Sequence, residues 1–416
     1  MKYTTDESHR HYITSIDHCG VSGSGNTQRQ ALAHKPKIVR ILGTRGIPAA
    51  HGGFETFAEK LALYLVARGW RVVVYCQDDR IGPVIEDSWA GVDRVRIPID
   101  KSGPVGTVLF DWKATLHAAR SGDLCLTLGY NTAVFCSLLR FKGVPNVINM
   151  DGIEWKRAKW GAIAKTWFWC NERAGCWLGN HLVADHPHIE THLQTRVSAD
   201  KISMIPYGGD AVESAPTDPV HALGLVPEKF LTVIARPEPE NSIFEMVQGF
   251  SAKPRGYKLA VLGNYDGDNF YHRAVKSVAS SEVSFVGAIY EKEILRSLRF
   301  HSAAYVHGHQ VGGTNPSLVE ALGAGNAVVA HDNRFNRWVA GESAVYFSDA
   351  STFSDRMDEI LSSSSQVENL QRHGLYRFRS AFAWSDILLQ YEDLLERHLP
   401  KQTKATSIFN NGPSSH

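Results

Sequence analysis

The sequence predicts an α/β protein made of two doubly wound domains, each a parallel sheet covered by helices, facing one another across a cleft. Three observations carry that expectation. Runs of β-branched and other apolar residues recur along the chain and are continuous rather than alternating, as in strands buried on both faces. Stretches with helical periodicity separate them. The rhythm breaks once, at "PYGGDAVESAPTDPVHALGLVPEK", and then restarts. A chain of 416 residues is also too long for one ordinary core.

The elements follow in order. "KIVRILG" (37–43) is a continuous apolar strand, and the glycine-rich loop "TRGIPAAHGG" follows it. "FETFAEKLALYLVARG" then places Phe54, Phe57, Ala58, Leu61 and Leu65 on one helical face and ends at Gly69, a C-cap glycine. "RVVVYC" is the next strand, and the strand–helix rhythm continues through "DRVRIPI", "GDLCLTLG", "VPNVINM" and "HLVAD". Residues 206–228, rich in Pro, Gly and Asp, form a linker. Beyond it come strand "FLTVIA", helix "NSIFEMVQGF", strands "KLAVLG" and "VSFVG", helix "EKEILRSLRF", strand "AAYVHG", helix "SLVEALGAG" and strand "NAVVA". The expected organisation is a polar tail at 1–36, a first domain at 37–205, the linker, and a second domain at 229–385. A C-terminal helix at 386–399 is expected to pack back on the first domain, with a second polar tail at 400–416.

Composition narrows the function. A hydrophobic content of 43% and a charged content of 21% describe a folded globular protein, and a formal charge of +1 gives no basic excess for a nucleic-acid partner. The six cysteines show no metal spacing and sit mostly in apolar runs, the pattern of buried reduced thiols in a cytoplasmic protein. No signal-peptide pattern and no apolar stretch of membrane-spanning length is evident, so the expected place is the cytoplasm, with attachment to a membrane surface left open.

In doubly wound sheets ligands sit beyond the carboxyl ends of the strands, which singles out four loops. The first, "GTRGIPAAHGGFET", carries Arg45, Gly52 and Gly53 and runs into a helix N-terminus suited to an anion. Its glycine spacing is not GxGxxG, and no acid closes the second strand, which weighs against a nicotinamide dinucleotide. The second, "NMDGIEWKRAKW", offers Asp151 and Glu154 as acids for a hydroxyl or a general base, though Asp-Gly is also simple turn chemistry. After it, Trp155, Trp160, Trp167, Trp169 and Trp177 interleave with Lys156, Arg157, Lys159 and Lys165. That mixture suits a membrane interface or a lipid-phosphate acceptor, and equally a core-packed helix with a solvated basic face. The third, "ARPEPENS", puts Arg236 where a phosphate clamp would stand, with Asn241 or Ser242 as a cap; a turn with an incidental arginine fits as well. In the fourth, "HGHQVGGTNPSLVEALGAG", Ser317 and Glu320 form an S-x-x-E capping box. Capping accounts for Glu320 but not for Gly312, Gly313, Thr314 and Asn315, whose free N–H groups make a cradle for a sugar or diphosphate.

With "ILGTRGIPAAHGGFETF", "NMDGIEWKRAKWG", "ARPEPEN", "HGHQVGGTNPSLVEALGAGNAVVAHDN" and "IPYGGD" in place, the chain resembles a family 4 glycosyltransferase with two Rossmann-like domains, the GT-B fold. It is most similar to the rhamnosyltransferase-like enzymes of bacterial polysaccharide synthesis. The resemblance implies a diphosphate contact for Arg236, a ribose contact for Glu320, approach of Gly52 and Gly53 to the diphosphate, and an acceptor site near Asp151, Glu154, Trp155, Lys156 and Arg157. It departs from the wider family twice. Asn241 stands where a lysine is usual, and Gly312 where a second glutamate faces the sugar, leaving His309 and Gln310 nearby to substitute.

The resemblance therefore implies retaining transfer of a hexose, L-rhamnose above all, from a nucleoside diphosphate to a hydroxyl of a lipid-linked oligosaccharide, as in exopolysaccharide, capsule or O-antigen assembly. Arg236, Asp151 and His309 are the residues expected at the chemistry. No metal ion and no cofactor are expected, since no DxD pair closes a strand. The implied place is the cytoplasm, with peripheral contact to the inner face of the plasma membrane. A sugar-nucleotide-binding scaffold without activity is the competing expectation, and a nicotinamide oxidoreductase a more distant one.

Overall fold

The computed structural model describes residues 36–50 and 52–400. Two sheets organise them. The first holds eight strands: β1 (Ile38–Leu42), β2 (Arg71–Asp78), β3 (Ile85–Trp89), β4 (Val92–Pro98), β5 (Leu124–Leu128), β6 (Asn146–Asn149), β7 (His181–Ala184) and β8 (Ile202–Met204), in the order β3-β4-β2-β1-β5-β6-β7-β8. All its pairings are parallel except β3 with β4. The second holds β9 (Phe230–Ile234), β10 (Lys258–Leu262), β11 (Val283–Gly287), β12 (Ala304–His307), β13 (Val328–His331) and β14 (Ala344–Phe347), all parallel, in the order β11-β10-β9-β12-β13-β14. The strand order turns at β1/β5 in one sheet and at β9/β12 in the other, and those switch points are where a ligand crevice opens.

The continuous apolar strands are buried on both faces, as their composition requires. Helix Gly53–Ala67 covers one face of the first sheet through Phe57, Leu61 and Leu65, packed on Val39, Ile41 and Val72. Helices Gly103–Ala118, Cys136–Phe141 and Pro187–Gln194 cover the other through Phe110, Leu139 and Ile189. Burying side chains of this size stabilises by roughly 1.5–3 kcal/mol each. The second sheet is covered on one face by Met246, Phe250, Phe353 and Met357, and on the other by Leu318, Leu322 and Phe378 or by Val220 and Leu298.

The C-terminal helix Trp384–Arg397 leaves the second sheet and joins the core of the first through Ile387, Leu388, Leu394 and Leu395. Its buried Glu392 accepts hydrogen bonds from Trp70 Nε1 (3.1 Å), Tyr64 Oη (2.9 Å) and Arg68 Nε (3.1 Å). A buried carboxylate without partners would be costly, so these donors fix the helix in register. The chain crosses between the sheets twice, at 205–210 and at 382–384. The crossings pair, with Gly209 N–H donating to Phe382 O (2.8 Å) and Trp384 N–H to Gly209 O (3.2 Å). The stretch 206–228, expected as a linker, is more structured than its composition suggests. It contains helix Asp218–Ala222, and Val220 and Leu225 pack with Phe230 and Leu298.

Three strands escaped the periodicity. β3 is polar and mostly exposed, an antiparallel edge, while β8 and β14 are short edge strands only partly buried. The polar stretches 1–35 and 401–416 lie outside the described residues, as does His51 in the first loop. Among the described residues no helix is long and apolar enough to cross a membrane.

Candidate functional site

The carboxyl ends of the strands in both sheets converge on a cavity of about 320 Å³. From the first sheet it is lined by Gly53 at the start of its helix, by Asp151, Gly152, Glu154 and Arg157 after β6, and by Asp185 after β7. From the second come Arg236 and Asn241 after β9, and His309 with Gly312, Gly313, Thr314 and Asn315 after β12. A second, more apolar cavity of about 550 Å³ lies wholly in the second domain, lined by Ala235, Pro237, Gly263, Tyr271, Ile289 and Tyr290 among others. Arg236 and Glu238 line both.

The second-domain wall is built from turn chemistry. Asn241, buried, donates from Nδ2 to Arg236 O (2.8 Å), closing the loop that carries the arginine. This explains an amide where a lysine might have stood: the position braces the backbone and does not offer a charge. The helix Pro316–Gly323 begins with Asn315 as N-cap, its side chain accepting from Ser317 N–H (3.0 Å), with Pro316 in the first turn. The expected Ser317/Glu320 capping box is therefore absent. Ser317 lies inside the helix and bonds Tyr305 Oη (2.6 Å), and Glu320 pairs instead with Arg299 (2.5 Å). Asn-Pro takes the cap because proline occupies N1 without losing a hydrogen bond.

His309 stacks on His307 with ring centroids 4.4 Å apart. Burial, with the charges of Arg157 and Arg236 beside it, holds the His309 imidazole down to about 4, so the ring facing the cavity is neutral at physiological pH. Its Nδ1 is buried without a partner, as are both ring nitrogens of His307.

The first-domain wall is acidic. Asp151 sits in the left-handed region (φ 53°), a conformation Asp tolerates better than most residues, and its N–H donates to Asn149 Oδ1 (3.0 Å). Asn149 in turn donates to Tyr391 Oη (2.8 Å) of the C-terminal helix. Burial, reinforced by Glu154, pushes the Asp151 carboxyl up to about 6. Burial, reinforced by Asp151, pushes Asp185 up to about 7. Two buried carboxyls in one pocket resist simultaneous ionisation.

Asp185 was not singled out from sequence, yet it ties the two walls together. Its Oδ2 accepts from Thr314 N–H (3.1 Å), and its backbone carbonyl accepts from Thr314 Oγ1. Its Oδ1 is buried with no hydrogen-bond partner. Gly313 is required here, since a Cβ would lie 2.2 Å from Asp185 Oδ1. The signal was available: Asp185 is the residue directly following β7, at the strand end where ligands are expected.

Arg157 lines the cavity but is engaged by acids, and several other expected residues are placed elsewhere. Arg157 bridges Glu154 (Nη1, 2.8 Å) and, across the cleft, Glu240 (Nε, 2.9 Å), so its guanidinium is already satisfied by two acids. Trp155 and Lys156 do not line the cavity. Trp155 Nε1 donates to buried Glu172 (2.6 Å), and Lys156 Nζ lies over the Trp155 ring at 5.4 Å. Gln310 is exposed and donates to Ser242 Oγ (2.9 Å). Gly52 caps the first helix beside Gly53 without lining the cavity. Arg45 opens on a separate cavity with Glu55, Arg94 and Arg96, and Glu320 is held by Arg299 outside both cleft cavities.

Comparison with known proteins places the architecture. A family model described as a domain of unknown function (DUF1972) matches residues 36–210. Among curated proteins no match was found. Among solved structures, sucrose-phosphate synthase from Thermosynechococcus elongatus is 18% identical with a TM-score of 0.72, over 87% of this chain and 99% of that one. HepE from Anabaena, in complex with UDP and glucose, is 14% identical with a TM-score of 0.67, over 87% and 100%. An α,α-trehalose-phosphate synthase (UDP-forming) from Burkholderia xenovorans, in complex with glucose-6-phosphate, is 12% identical with a TM-score of 0.68, over 86% and 100%. Near-complete superposition at so little identity establishes the architecture: the chain has the GT-B fold, two Rossmann-like domains facing across a cleft, and its first domain carries the DUF1972 match.

Proposed function

We propose that the protein is a retaining glycosyltransferase that moves a hexose, L-rhamnose, from a nucleoside diphosphate to a sugar hydroxyl of a lipid-linked oligosaccharide. The reaction belongs to bacterial exopolysaccharide, capsule or O-antigen synthesis at the cytoplasmic face of the plasma membrane. The observation that carries the reading is the position of Arg236 on both cavities. A ligand filling the pair would lay a flat apolar base against Ile289 and Tyr290, its sugar in the polar cavity, and its charged middle at the guanidinium. The solved structures of HepE with UDP and glucose, and of the UDP-forming trehalose-phosphate synthase, add weight on the side of a nucleotide-sugar donor.

The chemistry follows from the division of charge. As the anomeric C–O bond breaks, negative charge builds on the diphosphate, and Arg236 with the helix N-terminus at Asn315 stabilises it. The acceptor oxygen bonds to the anomeric carbon on the face the diphosphate leaves, and its proton passes to a departing phosphate oxygen, which gives retention. Asp151 and Asp185 hold hydroxyls of the acceptor sugar, and the unpartnered Oδ1 of Asp185 is an acceptor waiting for such a donor. Gly312 removes the second acid of related enzymes, and Val311 beside it presents an apolar surface to the cavity, which suits the methyl group of a 6-deoxyhexose. Neutral His309 completes the wall.

The test is a panel of nucleotide sugars incubated with purified protein, following diphosphate release with and without an acceptor lipid. Release that needs the acceptor and is fastest with a nucleoside diphosphate rhamnose supports the proposal. Binding of donors with no turnover on any acceptor would favour a scaffold, and reduction of a nicotinamide would reject transfer altogether.

A further inference from the structure

Helices Gly103–Ala118, Cys136–Phe141 and Ala162–Leu178 pack side by side on one face of the first sheet, so their outward sides form one surface. That surface is apolar where solvent would favour polar residues. On the first helix Val105, Leu109, Trp112 and Leu116 are exposed at spacings of four, three and four, a stripe separate from the buried one of Gly106, Phe110, Ala114 and Ala118. Trp112 packs edge-on against Phe135, joining this stripe to the next segment (5.2 Å between centroids). Phe141 is 88% exposed at the end of the short helix, and Ile163 (89%) and Trp177 (68%) mark the outer stripe of the third. Contiguous exposure of large apolar side chains on this scale marks an interaction surface.

The exposed charges on the outward sides of these helices are basic, while two acids, Asp100 and Glu86, stand at the edge of the first. Lys101, Lys113, Arg140 and Lys142 are exposed on these helices or at their ends. The acids within the three helices, Asp111 and Glu172, are turned away: Asp111 accepts from Thr132 Oγ1 (2.8 Å), and Glu172 is buried, accepting from Trp155, His192 and Arg196. Two copies of this chain meeting through the face would oppose their own cations, since a two-fold interface sets a patch against itself. An anionic lipid surface answers both features, taking the aromatic and aliphatic side chains at its headgroup boundary and the cations at its phosphates.

We infer that this three-helix face of the first domain docks the protein on an anionic membrane. The tryptophans that suggested membrane contact in the sequence are in part not the ones that carry it. Trp155 and Trp160 have their indole N–H groups tied to Glu172 and Glu154, whereas Val105, Leu109, Phe141 and Ile163 were not singled out at all. The inference draws its purpose from the lipid-linked acceptor of the proposed reaction, but its test does not depend on that reaction.

The measurement is sedimentation of the full chain with vesicles of phosphatidylcholine mixed with phosphatidylglycerol and, separately, of phosphatidylcholine alone, across a salt series. Binding to the mixed vesicles that weakens with salt is expected, with little binding to the neutral ones. Phe141→Ser and Trp177→Ser should each weaken it about tenfold, the loss expected for one large buried apolar side chain. Arg140→Gln and Lys142→Gln should each weaken it about fivefold on the anionic vesicles alone. Circular dichroism checks that the variants fold, which their exposure predicts. Absence of vesicle binding by the parent, equal binding by parent and Phe141→Ser/Trp177→Ser, or a concentration-dependent dimer dissolved by those substitutions without vesicle binding, would each overturn the inference. Transfer to a short water-soluble acceptor should be unchanged in these variants. A parent that binds vesicles but transfers nothing retains the docking face and rejects the transferase reading instead.

Discussion

The two walls of the cleft are opposites. The second domain offers donors: Arg236, the capped helix N-terminus at Asn315 and a neutral His309. The first offers acceptors: Asp151 and Asp185, both held above the usual carboxylate range by burial and then by the negative charge of a neighbouring acid. Where one wall suits a diphosphate, the other suits hydroxyl groups, and the clasp of Asp185 on Thr314 brings the two into register. The division teaches that the fold's symmetry is structural and not chemical. The two similar sheets present strand ends of different character, a donor-rich wall that also holds Glu238 and an acid-rich wall that also holds the paired Arg157, so the transfer we propose has a direction built in.

That division can be broken from either side. The largest effect is expected for Arg236→Ala, which should lower turnover about 10²-fold or more, since a fixed charge on a leaving group is typically worth that; steady-state diphosphate release reads it. Asp151→Asn and Asp185→Asn should each lower kcat/KM for the acceptor roughly tenfold, the loss expected for one hydrogen bond to a charged group. Unchanged acceptor kinetics would remove the acids from hydroxyl binding.

A smaller effect sharpens the contrast by pH. If ionised carboxylates receive the hydroxyls, transfer should rise between about pH 5 and 8 as the Asp151/Asp185 pair, at about 6 and 7, loses its protons, and Asp185→Asn should simplify that profile. The smallest effect is on stability. Asp185 is raised to about 7 from an ordinary 3.8, so the folded chain keeps a proton that the unfolded chain has released. Its contribution is therefore lost as pH rises through that window. Asp185→Asn should melt a few degrees above the parent at pH 8 and level with it near pH 4, as calorimetry would show.

The second-domain wall was largely legible in the sequence, because glycine, proline and asparagine between two apolar runs announce a loop whose backbone must do something unusual. Gly313 and Asn315 are cases where the residue type and the geometry explain each other. The first-domain wall was legible only by half. Asp151 was marked, with Glu154, as an acid at a strand end, although its Asp-Gly step also fits a plain turn; Asp185, which directly follows a strand in "HLVAD", was not singled out. The S-x-x-E pattern pointed to a cap that Asn315-Pro316 takes instead, a competition settled by local sterics that spacing alone does not show. Arg157 lines the cavity, and its ion pair with Glu240 of the other domain is a contact that its neighbours in sequence do not show. The polar edge strand β3 carried too little apolar pattern to be seen.

The measurement that tests the division of labour most directly is donor binding by calorimetry alongside transfer kinetics in Arg236→Ala and Asp185→Asn. Asparagine keeps an acceptor for Thr314 N–H, so the clasp survives while the charge is removed. The division of labour between the walls predicts that Arg236→Ala loses donor affinity, whereas Asp185→Asn binds donor as the parent does and loses transfer. Loss of donor affinity in Asp185→Asn with acceptor kinetics intact would contradict it.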